Sequence, residues 1–296
     1  MQKKYIIFKS NALIRIYSTI WLGVLTHMTV GYEVGFIGLG NMASAIINGI
    51  MCKNVLHPSS IAAYDPDNSK CESFARKGIA IMQGAAQLTE CCRYVFICVK
   101  PQVIGDVISS IKGSAGQHNV FVSIAAGIGA QYIKDQLGFD CKLILVMPNT
   151  PLMLGEGASA LACVAPTTAD EFAYVKGIFA SSGISEEIAP DKLPEIIPVN
   201  GSSPAFIYLF AKIVAEFASE QGIAFPVAMH LFAQTLIGSA KMLTDSGLSP
   251  EELIRMVSSP GGTTLEGLAS LERSGFEQTL RLAMQACINR AHELGK

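Results

Sequence analysis

The segment Gly38-Leu39-Gly40-Asn41-Met42-Ala43 constrains this chain more than any other. It follows a short apolar run at 34–37 and leads into a stretch with helical spacing from Met42. Two glycines one residue apart permit a tight strand-to-helix turn and leave backbone N–H groups bare at the helix start. Such a helix N-terminus suits a pyrophosphate. The G-x-G-x-x-A pattern carries that meaning only with a strand before it and an acid at the end of the next strand. Here the next strand candidate, 61–64, ends at Asp65. A carboxylate at that place binds a ribose 2′-OH and repels a 2′-phosphate, which favours NAD over NADP. A turn or helix-capping Asp before Pro66 is the structural alternative.

The rest of the chain divides into two patterns. Strand candidates lie at 33–37, 61–64, 94–99, 120–123 and 143–147, with helix-like segments between them. That spacing suits βαβ crossovers, and runs such as Val95-Phe96-Ile97-Cys98-Val99 suit a parallel sheet covered on both faces. From about Leu193 strand runs vanish. Helices are predicted at 204–221, 226–246, 249–258 and 263–273, with a last one after Gly275. Ser249-Pro250-Glu251-Glu252 offers a capping Ser, a Pro at the first helical position and a Glu at the third. The expected fold is therefore α/β: a Rossmann-like doubly wound sheet over 33–192, followed by an all-helical domain over 193–296.

Composition narrows the class further. Only 16% of the 296 residues are charged and 50% are apolar, with 22 basic against 24 acidic side chains. So much apolar surface excludes a disordered chain, and the lack of basic excess argues against nucleic-acid binding. A chain this apolar lies either in a membrane or against copies of itself. The charge-free stretches 34–52, 113–133 and 221–240 are broken by Gly, Pro, Asn, Gln or His, so none reads as a span. Residues 1–32 carry Lys3, Lys4, Lys9 and Arg15 with no acid, and an apolar stretch at 16–25. They read as a targeting segment or as an extension outside the fold. Beyond them 18 positive charges face 24 negative ones. Eight cysteines form no C-x-x-C pair and no zinc spacing, which points to reduced thiols, a cytoplasmic setting and no metal.

Four further segments sit where ligands bind. Val99-Lys100-Pro101 closes the third strand candidate, and Lys100 faces a phosphate or ribose there, or is a solvated loop residue. Asn149, between Pro148 and Pro151 at another strand end, contacts a bound ring or holds a turn. Ser258-Ser259-Pro260-Gly261-Gly262-Thr263-Thr264 joins two helices. It is either an anion site at a helix start or a connector with a capping Thr. Asn200-Gly201-Ser202-Ser203-Pro204-Ala205 opens the helical half with small residues suited to close packing.

Taken in order, these motifs resemble the pyrroline-5-carboxylate reductase family. They are Gly-Phe-Ile-Gly-x-Gly-x-Met-Ala at 35–43, Val-Lys-Pro-Gln at 99–102, Ser-Ile-Ala-Ala-Gly at 123–127, Met-Pro-Asn-Thr-Pro at 147–151, Gly-Ser-x-Pro-Ala at 201–205 and Ser-Pro-Gly-Gly-Thr-Thr at 259–264. The resemblance implies reduction of 1-pyrroline-5-carboxylate to L-proline by NADPH or NADH, the last step of proline biosynthesis. It places the substrate carboxylate on Ser259, Gly261, Gly262 and Thr263, and the ring nitrogen on Thr264, the catalytic residue. It places the cofactor along Gly38, Gly40, Asn41, Met42, Asp65, Val99, Lys100, Pro101, Ala125, Ala126 and Asn149. It also implies a homodimer through the helical domain, often within a larger ring, with each site using both chains. Imine reduction needs positioning more than acid–base groups, so the lack of a catalytic His or carboxylate pair fits.

Three positions depart from the family pattern: Leu145 stands in place of an Arg, Pro194 in place of an Asp, and Ala85 in place of an Asn beside the adenosine ribose. They leave open a divergent paralogue acting on a related cyclic imine. A β-hydroxyacid dehydrogenase would need a catalytic Lys in a Gly-rich helix, and Lys212 and Lys241 lie in no such motif. A non-catalytic nucleotide sensor is the other alternative.

Overall fold

The structure, a computed structural model, describes residues 31–295. Of the segment 1–32 read as a targeting signal or extension, residues 1–30 lie outside the described residues, while Tyr32 belongs to the sheet. The fold begins one residue earlier than expected. Strand β1 is Tyr32–Ile37, because Tyr32 already pairs with Cys92 on the neighbouring strand.

After β1 the chain turns through Gly38 into helix α1 (Asn41–Cys52). It continues through β2 (Ile61–Tyr64), α2 (Asn68–Ala75), β3 (Ala80–Ile81), α3 (Ala85–Cys91) and β4 (Cys92–Ile97). Then come α4 (Ile104–Ile111), β5 (Val120–Ser123), α5 (Ala130–Leu137) and β6 (Lys142–Met147). The sheet closes with β7 (Gly157–Val164), α6 (Ala169–Ala180) and β8 (Gly183–Glu187). The strand order is β3-β2-β1-β4-β5-β6-β7-β8. The first six run parallel in doubly wound order, while β7 joins β6 antiparallel and β8 follows β7 in parallel.

Three strands escape the sequence pattern for identifiable reasons. Two residues are too short to signal β3. Strand β7 reads Gly-Ala-Ser-Ala-Leu-Ala-Cys-Val, mostly small residues of low strand propensity. Strand β8 is an exposed edge ending in Glu186-Glu187, so it looks like a loop. Both faces of the sheet are covered. Phe36, Phe96, Val122, Ile144 and Phe179 lie in the core on one side, and Val95, Ile97, Ile108, Phe121 and Leu143 on the other. This explains the continuous apolar runs of the parallel strands.

The doubly wound order brings the carboxyl ends of β1, β2, β4, β5 and β6 to one edge, with the reversal of direction between β1 and β4. Gly38 is the pivot there. Its φ is +92°, and a Cβ on it would lie 2.8 Å from the carbonyl oxygen of Cys98 and 2.9 Å from a Val99 methyl. Only glycine satisfies both demands.

The helical half consists of α7 (Leu193–Ile196), a π-turn at Ile197–Gly201, α8 (Ser203–Glu220), α9 (Phe225–Asp245), α10 (Pro250–Met256), α11 (Thr263–Arg273) and α12 (Phe276–Leu294). Ser249 and Glu252 form the reciprocal cap expected for α10. Helices α8 and α9 touch through Phe210 and Phe232, edge to face at 5.2 Å. Yet only Ala211, Ala215 and Ala228 are buried in the two helices. Phe210, Ile213, Phe217, Leu231 and Ile237 are each at least half exposed. His292 of α12 lies with its Nε2 3.4 Å from a carboxylate oxygen of Glu195 of α7, which brings the last helix back to the junction. No helix among the described residues is long and apolar enough to cross a membrane.

Gly38→Ala is expected to lower stability by about 1–3 kcal/mol, the order of a non-glycine residue forced into a strained backbone region. Urea unfolding of the purified variant measures this, and an unchanged midpoint would contradict the pivot.

Candidate functional site

The glycine loop is tied down from the neighbouring strand. Gly38 N–H donates to the Tyr64 carbonyl at 2.8 Å, and Leu39 N–H donates to Asp65 Oδ2 at 2.7 Å. Asp65 Oδ1 accepts from Asp67 N–H at 2.9 Å, and the Lys70 ammonium stands 3.4 Å from both carboxylate oxygens. Asp65 is only 6% exposed. Its first task is therefore structural: it locks the β2 end to the loop that turns into α1. It still lines the adjacent cavity, so the structural and ligand roles coexist in one carboxylate. Asp67, not Asp65, caps α2, by accepting from Ser69 N–H at 3.0 Å.

Gly40 shows why the second glycine is there. Nothing lies within 4 Å of the place its Cβ would occupy, so packing within the chain does not require a glycine. Gly40 is the N-cap of α1, with no side-chain cap and no acid in the first turn. The bare N–H groups of that turn face an open cradle, which matches a pyrophosphate in charge and shape.

Two cavities meet at this cradle. One is about 480 Å³ and is lined by Gly38, Gly40, Asp65, Lys70, Ala85, Val99 and Lys100. Its neighbour, about 470 Å³, is lined by Gly40, Asn41, Met42, Val99, Lys100, Pro101, Ala125 and Ala126. Across it stand Met147 and Pro148 from the end of β6, and Ile197, Gly201 and Ser202 from the π-turn. Ten of the eleven residues expected at the cofactor thus converge on one continuous groove. Lys70, which sequence reasoning passed over, belongs there too. Its signal was a basic residue one turn into the helix after Asp65.

Asn149 is the eleventh, and it is placed differently. It lines neither cavity. Its amide nitrogen donates to the Asn200 carbonyl at 3.1 Å, and its amide oxygen accepts from Ala158 N–H at 2.9 Å. Both ends of the side chain are used inside the protein, which is the turn-holding alternative. Asn200 opens the segment read as suited to close packing, and its bonding role escaped that reading because its partners Met147 and Ala158 are distant in sequence.

A third cavity, about 280 Å³, opens beside Ala125 and Met147 and is lined by Leu145, Leu193, Pro194 and His292. The two departures Leu145 and Pro194 therefore share one cavity. Both positions are apolar here. Ala85 lines the first cavity, beside Asp65.

Ser259, Gly261, Gly262, Thr263 and Thr264 line none of these cavities. They form a largely exposed loop between α10 and α11. Gly262 N–H closes a turn on the Ser259 carbonyl at 2.9 Å, and Gly261 has φ +69°. Gly262 is the N-cap of α11, and no Thr hydroxyl caps the helix, contrary to the connector reading. The first-turn N–H groups stay open to a ligand. Within one chain the groove and this loop are separate features.

Cys98 lines both cavities of the groove, and Cys92 lies in the core behind it. Burial pushes the Cys92 thiol up to about 12 and the Cys98 thiol upward as well, so both stay protonated at neutral pH.

Residues 190–294 match the family model described as pyrroline-5-carboxylate reductase dimerisation, and residues 33–127 match one described as NADP oxidoreductase coenzyme F420-dependent. The chain is 35% identical over 265 residues to the pyrroline-5-carboxylate reductase of Escherichia coli, covering 89% of this chain and 98% of that one. It is 33% identical over 271 residues to that of Pisum sativum, covering 92% and 99%. Among solved structures, the Plasmodium falciparum pyrroline carboxylate reductase with NADP bound is similar with a TM-score of 0.82 at 28% identity, covering 91% and 100%. With its doubly wound sheet, glycine cradle and unburied helical half, the chain belongs to the pyrroline-5-carboxylate reductase family.

Proposed function

We propose that this chain reduces 1-pyrroline-5-carboxylate to L-proline with NADH or NADPH. The observation that carries the reading is the open cradle at Gly40, continuous with a groove that ends against the π-turn, in a chain of this family. Residues 33–192 act as the cofactor domain, and 193–296 as the substrate and dimerisation domain. Gly40, Asn41 and Met42 hold the pyrophosphate through backbone N–H groups, and Gly38, whose own N–H is donated to Tyr64, shapes the turn that the cofactor lies against. Asp65 meets the adenosine ribose. Val99, Lys100, Pro101, Ala125 and Ala126 line the reactive end, and Asn149 fixes the wall behind it. The reduced nicotinamide supplies the hydride, which goes to the imine carbon while the ring nitrogen ends protonated. Ser259, Gly261, Gly262 and Thr263 hold the substrate carboxylate at the start of α11, where the helix dipole favours an anion. Thr264 hydrogen-bonds the ring nitrogen. The protonated imine is already electrophilic, so orientation and exclusion of water supply most of the rate.

The groove and the loop at the start of α11 come together between chains. Helices α8 and α9 leave Phe217 and Leu231 61% and 66% exposed, a surface that a second copy covers. That accounts for the low charge content and fits the dimerisation domain. All eight cysteines are free, in keeping with a cytoplasmic setting. A β-hydroxyacid dehydrogenase is less well supported: Lys212 pairs with Glu216 at 3.6 Å on an exposed face of α8.

Purified protein mixed with the imine should oxidise both reduced cofactors, and oxidation of neither would refute the reductase reading. NADH should serve at least as well as NADPH, because the Asp65 carboxylate lines the cavity where a 2′-phosphate would sit. A strong NADPH preference would remove that role from Asp65. Thr264→Ala should lower kcat by about 100-fold, the order of a positioned group acting on a proton, with NADH affinity held. Unchanged kcat would take Thr264 out of the mechanism. Sedimentation should find a dimer or a multiple of it, and Phe217→Glu with Leu231→Glu should give an inactive monomer. A fully active wild-type monomer would contradict the shared site.

A further inference from the structure

The junction between sheet and helices is closed by two asparagines. The Asn200 amide nitrogen donates to the Met147 carbonyl at 2.7 Å and to the Ala158 carbonyl at 2.9 Å. Two carbonyl acceptors fix which end of the amide is which. Asn149 completes the ring through the Asn200 carbonyl and Ala158 N–H. The end of β6, the start of β7 and the π-turn Ile197–Gly201 are thereby stitched at one point. The Asn200 amide oxygen is buried with no partner. That unpaired oxygen offsets part of what the two donated bonds contribute to stability.

The stitch sits behind the groove at its reactive end. Met147 and Pro148 line the groove together with Ile197, Gly201 and Ser202, and a Cβ on Gly201 would lie 3.1 Å from Met147 Sδ, so the two segments pack side by side. Asn200 joins the Met147 carbonyl to the turn that carries Ile197 and Gly201. We propose that Asn200 is a positioning residue for hydride transfer: its paired hydrogen bonds set the spacing between the β6 end and the π-turn. This rests on the reductase reading above. An error of about 1 Å in the placement of reacting atoms costs on the order of 100-fold in rate. The adenosine end, built on Asp65 and Lys70, lies outside the stitch, so cofactor affinity is spared.

The test uses the full-length protein with Asn200→Ala and Asn200→Asp. Steady-state kcat and KM are measured from about pH 6 to about pH 8, with NADH affinity and circular dichroism recorded on the same samples. Asn200→Ala should lose about 10- to 100-fold in kcat, with NADH affinity within about twofold of wild type. In Asn200→Asp the ionised carboxylate opposes two carbonyl oxygens. Burial and that opposition raise its pKa, and the protonated acid again donates one bond. The kcat of Asn200→Asp relative to wild type should therefore rise about tenfold as pH falls across that range. A simple folding defect would instead change the dichroism and weaken NADH binding in step, which would overturn the proposal. A kcat of Asn200→Ala within about twofold of an active wild type overturns it alone. No turnover by wild type with either cofactor overturns it together with the reductase reading.

Discussion

The bond from Leu39 N–H to the buried Asp65 carboxylate holds the site together. It fastens the glycine turn of one strand to the end of the next, beside the Gly38–Tyr64 backbone bond. Without it the start of α1 has no fixed direction, and the row of N–H groups that suits a pyrophosphate loses its aim. The bond is charge-assisted and shielded from water, where such bonds are strongest. Gly38 lets the backbone make the turn, and Gly40 keeps the space before the helix clear. The doubly wound order then decides which other residues share that edge: Lys100 after β4, Ala125 after β5 and Met147 at the end of β6.

The second constraint is what the chain leaves unfinished. The sheet buries both faces within one chain. The two long helices do not, and their exposed Phe, Ile and Leu side chains account for much of the unusual composition. The loop at the start of α11 is likewise separated from the groove. The exposed helices belong to the region that matches the dimerisation domain of the family. The Asn149–Asn200 stitch lies at the boundary between the two halves, where small shifts would matter most for the reacting atoms.

Sequence reading was strongest where the signal is local. The turn at Gly38–Gly40, the five apolar strands, the capping box at Ser249 and the start of α11 at Thr263 follow from spacing and turn chemistry. It was weakest where pairing partners are distant. Strands β7 and β8 carry little strand propensity and are held by neighbours already in place. Asn149 looked equally suited to a ring or a turn, and only contacts with Ala158 and Asn200 separate the two. Asp65 was seen as a ribose ligand, while its lock on Leu39 was invisible because the residues lie 26 positions apart.

The sequence by itself determined the class of fold, the place of the dinucleotide cradle and the likeness to one enzyme family, because these rest on short motifs read in order. Tertiary structure decided which polar side chains face the groove and which are spent inside the protein. It also decided that Leu145 and Pro194, far apart in sequence, line the same cavity. The physical reason is the same in each case. A buried hydrogen bond or a shared cavity joins residues that no local pattern connects.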